Sequence, residues 1–243
     1  FLWSRVWRIP LKVFIFVVLV YFSDKVLYIS AFQHAPAMEV NLINYTWPIL
    51  IVLLSPLLLP KTSLRLHHGL GVLIGFSGVG LIMTGGQFQL DIANIKGYLI
   101  MAMAALIWAI YSLLTKQIKS FPSEALGVCL TSAGLLALSI YFFQHLTYGI
   151  TVTLNGRDWL LLLLFGLGPS GIAFLTWDMS LKRGDPRIMA SLAYVTPLLS
   201  TLNLILLGKR QLTWVSFTAM ILIIAGALIG SLDLWHPREG KVL

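Results

Sequence analysis

Apolar residues fill this chain in long blocks with few charges between them. Eight blocks, at about 11–33, 38–59, 67–85, 97–116, 123–146, 159–181, 187–207 and 213–233, are each long enough to cross a hydrocarbon core as a helix of about 20 residues. One block breaks the pattern. Within it Asn41, Asn44, Tyr45 and Pro48 stand at i, i+3, i+4 and i+7, which places them on one helix face. A polar face on an apolar helix must turn toward protein or a watery cavity and away from lipid.

The same phrase returns in weaker form. A shift of 149 residues lays Tyr45 on Tyr194, Pro48 on Pro197 and Tyr28 on Trp177, and a shift of 148 lays Lys61 on Lys209 and Gly78 on Gly226. Three consecutive helices are covered by the match. In the second copy two further helices precede them, so a complete parent has five plus five. An odd number of spans per copy inverts one copy against the other, a plan that places a transporter's site between the repeats. The expected architecture is an all-α membrane protein, an inverted-repeat transporter of two five-helix halves. Residues 1–91 hold the incomplete first repeat and 92–243 the second. Phe1-Leu2-Trp3 reads as the tail of an earlier helix, so the first two of ten helices are expected to be largely absent.

Composition agrees with a polytopic membrane protein: 58% of the 243 residues are hydrophobic and 11% charged, and the mean hydropathy is +0.88. The formal net charge of +8 forms no continuous stripe, which argues for membrane orientation over nucleic-acid binding. Twelve Lys and Arg fall on one side (Arg5, Arg8, Lys12, Lys61, Arg65, Lys116, Lys119, Lys182, Arg183, Arg187, Arg238, Lys241) and four on the other (Lys96, Arg157, Lys209, Arg210). The richer side, with the C-terminus, is expected to be cytoplasmic. The single Cys129 offers no disulfide framework. No phosphate-binding loop and no Cys-rich metal motif is present, and no cofactor is expected.

Candidate chemistry gathers in the spans. Pro48 removes a backbone donor and frees the Asn44 carbonyl, marking a kink beside Asn44 and Tyr45, and Pro197 repeats the device beside Tyr194. Trp47, Trp108 and Tyr111 lie too deep for an interfacial belt and suit a pocket for flat or apolar molecules, although core packing accounts for a deep Trp equally well. Tyr21, Asp24 and Tyr28 share a stripe. Asp24 and Glu39 are candidates for proton coupling. Adjacent Asp24 and Lys25 point roughly 100° apart and are not expected to share a partner direction, whereas Asp178 and Lys182 have the spacing of an i, i+4 ion pair. Gly71, Gly75 and Gly78, and Gly226 with Gly230, are close-packing faces whose partners the sequence leaves open. Gly168-Pro-Ser-Gly171 matches the Gly-x-Ser-Gly of intramembrane serine proteases, but no histidine falls at the depth of Ser170, and a helix distortion explains the motif more simply.

The run His34-Ala-Pro-Ala-Met-Glu-Val-Asn-Leu-Ile-Asn-Tyr-Thr-Trp-Pro48, with its echo Tyr194-Val-Thr-Pro197, resembles the drug/metabolite transporter superfamily of the EamA type. Glu39-Val40, Asn44-Tyr45, Trp47-Pro48 and the deep Trp108 are similar to the YddG-type exporters of aromatic amino acids. The resemblance implies a ten-helix inner-membrane carrier with a central cavity, exporting aromatic or other hydrophobic amino acids by alternating access. It is not expected to be an enzyme. The expected site comprises Asn44, Tyr45, Trp47, Pro48, Trp108, Tyr111, Tyr194, Pro197, Tyr28 and Trp177, and the expected partners are a small-molecule amino acid and the lipid bilayer. Oligomeric state is left open. A carrier of other metabolites on the same fold and an intramembrane hydrolase using Ser170 are the alternatives.

Overall fold

The computed structural model describes residues 9–60, 62–87, 91–118, 121–149, 151–209 and 211–235. Among them every regular element is helical: α1 (Leu11–Phe32), α2 (Ala37–Asn44), α3 (Trp47–Leu58), α4 (Leu66–Thr84), α5 (Ile95–Thr115), α6 (Leu126–Tyr148), α7 (Gly156–Leu167), α8 (Ala173–Arg183), α9 (Pro186–Ala193), α10 (Val195–Leu206), α11 (Trp214–Gly230) and α12 (Leu232–Trp235). Short 3₁₀ turns precede α5 and α6, and a π-turn, Gly168–Ile172, joins α7 to α8. Seven helical stretches are long and apolar enough to span a membrane, and α11 is a shorter apolar helix, which matches the eight blocks of the sequence. Of the twelve basic residues expected on the cytoplasmic side, Arg5, Arg8, Lys61, Lys119, Arg238 and Lys241 lie outside the described residues, as do Phe1-Leu2-Trp3 and, of the other four, Arg210.

Two of the spans are broken at matching places. α2 and α9 have eight residues each, α3 and α10 twelve each, and the breaks fall at Tyr45–Thr46 and at Tyr194. The prolines explain both. A proline is tolerated in the first turn of a helix, where its missing N–H would be unpaired anyway, so each chain restarts just before Pro48 or Pro197.

By contacts the chain forms two compact units that cut across the repeat halves. The first takes the segment up to Val26 together with Thr115–Arg183. Its anchor is Asp178 on α8, which is buried and accepts hydrogen bonds from the Thr115 hydroxyl at 2.9 Å, from Lys182 at 2.6 Å and from the Ser123 hydroxyl. The expected Asp178–Lys182 ion pair is present, and the structure adds what it serves. Lys182 also donates to the Phe121 carbonyl at 2.8 Å and lies over the Phe121 ring, so the turn before α6 is tied to α8. Tyr21 packs against Phe174 with ring centroids 5.2 Å apart. The Asp24–Lys25 expectation is corrected here: the Lys25 ammonium pairs with Asp24 itself at 3.0 Å and sits over the Phe174 ring. A flexible four-carbon stem overrides the angle between their Cβ directions.

The second unit takes Leu27–Leu114 and the chain from Gly184 onward. At its centre α4 and α11 run antiparallel with their backbones in contact. A Cβ on Gly71 would lie 2.5 Å from Gly230 Cα, one on Gly226 would lie 2.7 Å from the Gly71 carbonyl, and one on Gly78 would lie 2.8 Å from Ile223 Cγ1. The glycine faces therefore pack on each other within one chain. Helix α9 seats on this pair: Ser191 lies against Gly230, and the Tyr194 ring fills the notch at Gly75, where a Cβ would come within 2.6 Å of Tyr194 Cδ2. A separate apolar cluster of Ala31, Val40, Met101 and Ala104 joins the end of α1 to α2 and α5.

Candidate functional site

Helix α2 ends at Asn44, Tyr45 caps it with φ −67° and ψ 6°, and the Thr46 hydroxyl closes the break by donating to the Ile43 carbonyl at 2.7 Å. Asn44, Tyr45 and Trp47 are half-buried here, while Pro48 is buried in the first turn of α3. At the other break, Tyr194 and Pro197 are both buried. The two breaks touch: the Tyr194 hydroxyl donates to the Tyr45 carbonyl at 3.1 Å. A broken helix frees backbone groups, and here a buried side chain from the second break reaches the main chain of the first.

The second unit holds further polar and aromatic pairs. The Tyr28 hydroxyl donates to Asn41 Oδ1 at 3.3 Å, placing the Tyr28 end of α1 against the polar face of α2. Trp108 and Tyr111 pair on α5 with ring centroids 5.7 Å apart, but both are buried, Trp108 being 8% exposed. Glu39, at the start of α2, accepts hydrogen bonds from the Tyr98 hydroxyl and from Asn94 Nδ2, the latter at 3.4 Å. These two partners were missed in the sequence. They sit four residues apart at the start of a span, where Asn and Tyr pass for ordinary interfacial residues; only the pairing with Glu39 marks them.

Not every expected residue belongs to this group. Trp177, half-buried on α8, and Asp24 lie in the first unit, whereas Tyr28 lies in the second, so the Tyr21–Asp24–Tyr28 stripe divides its contacts between the units. Ser170 falls in the π-turn. A Cβ on Gly171 would meet the Gly166 carbonyl at 2.7 Å, so the wide turn itself calls for the glycine, and the four-residue motif has a conformational explanation.

A model of the EamA-like transporter family matches residues 1–84 and 95–232. Among similar proteins, the aromatic amino acid exporter YddG of Ancylobacter novellus is 38% identical over 208 residues, which is 84% of this chain and 70% of that protein. The proteins of the same name from Salmonella typhimurium and Escherichia coli are 29% and 27% identical, and the matches cover 66% and 68% of their lengths and 79% and 82% of this chain. A solved crystal structure, 35% identical, superposes with a TM-score of 0.84 over 97% of this chain and 81% of its own. With its broken spans and its match to the family model over most of its length, the chain belongs to the EamA-like transporter family.

Proposed function

We propose that this chain forms a secondary transporter that exports aromatic or other hydrophobic amino acids across a bacterial inner membrane by alternating access, with its substrate site at the junction of the two broken helices. The observation that carries the proposal is the Tyr194–Tyr45 hydrogen bond, made between two breaks that the 149-residue shift relates to each other. Broken helices at mid-membrane expose backbone dipoles to bind a zwitterion, and the aromatic side chains beside them suit a ring. The names of the similar exporters support aromatic amino acids as the substrate class.

Packing supports an inverted repeat behind this site. Under the 148-residue shift the pair Gly75–Gly226 becomes Ile223–Gly78, which is itself a close contact, so one approach between α4 and α11 maps onto the other as it would about a twofold axis. Asn44, Tyr45, Trp47 and Pro48 then form one side of the site and Tyr194 and Pro197 the other, with Tyr28, Trp108 and Tyr111 as aromatic supports. Asp24 and Glu39 are the groups we assign to proton coupling. The chain takes part in transport and in no covalent chemistry, and Ser170 has no catalytic role in this reading.

Counterflow in proteoliposomes tests it. Saturable exchange of tryptophan or phenylalanine, with weaker exchange of alanine, is expected, and the absence of saturable flux for any amino acid overturns the assignment. An Asp24→Asn variant is expected to lose proton-driven accumulation and keep exchange; unchanged pH dependence removes Asp24. For orientation, the Lys and Arg bias predicts that a cysteine at Asn155 reacts only from outside the cell, and the buried native Cys129 leaves the signal to the introduced thiol. Labelling from the cytoplasm reverses the topology.

A further inference from the structure

We propose that His67, His68 and Asp233 form a binding site for one divalent transition-metal ion of the zinc type, which staples the start of α4 to the end of its antiparallel partner. His67 and His68 occupy the first turn of α4, and Asp233 lies on α12, directly after α11. Antiparallel packing of α4 and α11 brings these two ends together. His67 Nε2 stands 3.4 Å from Asp233 Oδ1 and His68 Nε2 stands 3.3 Å from Oδ2. One ligand atom from each residue can be chosen so that all three lie within 4.8 Å of one another. Two ligands about 2.0–2.1 Å from one tetrahedral zinc stand roughly 3.3–3.4 Å apart, so each imidazole is at ligand spacing from one Asp233 oxygen, His67 from Oδ1 and His68 from Oδ2.

The second observation is the state of the imidazoles. His68 is fully buried, and neither of its ring nitrogens makes a hydrogen bond among the described residues; the buried His67 Nε2 makes none either. Both histidines approach Asp233 closely without hydrogen-bond alignment. Buried polar atoms in native proteins are nearly always satisfied, and an exception asks for a reason such as an ion. Two neutral imidazoles with one carboxylate are a donor set for zinc and its neighbours and a poor one for calcium or magnesium.

Two guanidinium groups stand near the site, so an ion there shares Asp233 with Arg65. Arg65 donates to Asp233 Oδ1, which leaves Oδ2 toward His68. Arg187 is held by Asp185 and by the Ser63 carbonyl. The competing account makes Asp233 only the counter-ion of Arg65, with the histidines as bystanders, and it predicts no metal.

Tag-free protein, stripped with chelator and dialysed in detergent against zinc chloride, is expected to take up one zinc per chain. His67→Ala and Asp233→Asn are expected to lose it, and zinc is expected to raise the thermal midpoint of the parent alone. Cobalt(II) in place of zinc is expected to give the visible bands of a four- or five-coordinate N/O site. His67 is only partly buried, so its variant carries the test should Asp233→Asn fail to fold. No uptake by the parent, or equal uptake by parent and His67→Ala, overturns the proposal.

Discussion

The Tyr194 hydroxyl donates to the Tyr45 main-chain carbonyl at 3.1 Å, and the two residues stand 149 positions apart, the interval that aligns the two broken helices. One side chain thus ties the kinks together while its ring packs into the space left by Gly75. The hydroxyl and the ring do different work, and substitution separates them. Tyr194→Phe removes one hydrogen bond, worth about 0.5–1.5 kcal/mol, and is expected to lower the thermal midpoint in detergent by a few degrees while slowing exchange. Tyr194→Ala also removes a buried aromatic ring, at a cost of about 3–5 kcal/mol, and is expected to fail to accumulate as folded protein. Recovery of folded Tyr194→Ala with the same thermal midpoint as Tyr194→Phe would show that the ring contributes nothing.

Gly226→Ala is expected to be severe for a different reason. The added Cβ meets main-chain atoms of Gly71 and Gly75, which cannot swing aside as a side chain can. Overpacking of this kind costs about 1–3 kcal/mol or more. Gly69→Ala, on the partner helix α4 with nothing within 4 Å of the new Cβ, is the control and is expected to be tolerated. Thermal melts of the purified pair decide the point; similar midpoints would remove the close approach of α4 and α11 as a determinant of stability.

Trp108→Ala is expected to raise the half-saturation concentration several-fold for tryptophan and less for alanine, because an aromatic contact is worth about 0.5–1.5 kcal/mol beyond its area. Trp108 is buried, so the control must be buried as well, and Met101→Ala meets that need. If both variants reduce tryptophan and alanine transport alike at matched expression, Trp108 is core alone.

Asp185 gives a pH-dependent prediction, since it lies in the turn between α8 and α9. Burial acts to raise its pKa, but hydrogen bonds from the Arg187 side chain and backbone, with the Arg187 charge, outweigh it and hold the carboxyl below its ordinary value. A folded pKa below the unfolded one means that the stabilisation is present above the unfolded value of about 3.9 and is lost as pH falls through the lower, folded value. Asp185→Asn is therefore expected to melt below the parent at neutral pH, with the gap closing in strong acid. A gap that stays constant from pH 7 to pH 3 would contradict the assignment.

Much of this protein could be read without coordinates. The span positions follow from the lengths of the apolar blocks, because an isolated helix in lipid must satisfy its own backbone and has few alternatives. The two breaks follow from Pro48 and Pro197 for the same local reason, and the Asp178–Lys182 pair follows from helix periodicity. What the tertiary structure decided is which surfaces meet. The glycine faces of α4 and α11 choose each other, Tyr194 reaches Tyr45, Tyr98 and Asn94 hold Glu39, and His67 and His68 face Asp233 from 165 or more positions away. The Asp24–Lys25 pair shows the limit at shortest range, where Cβ directions did not predict where a flexible ammonium settles. Periodicity fixes the direction of a side chain relative to its own helix, but a partner on another helix depends on packing between surfaces, and no single segment carries that information.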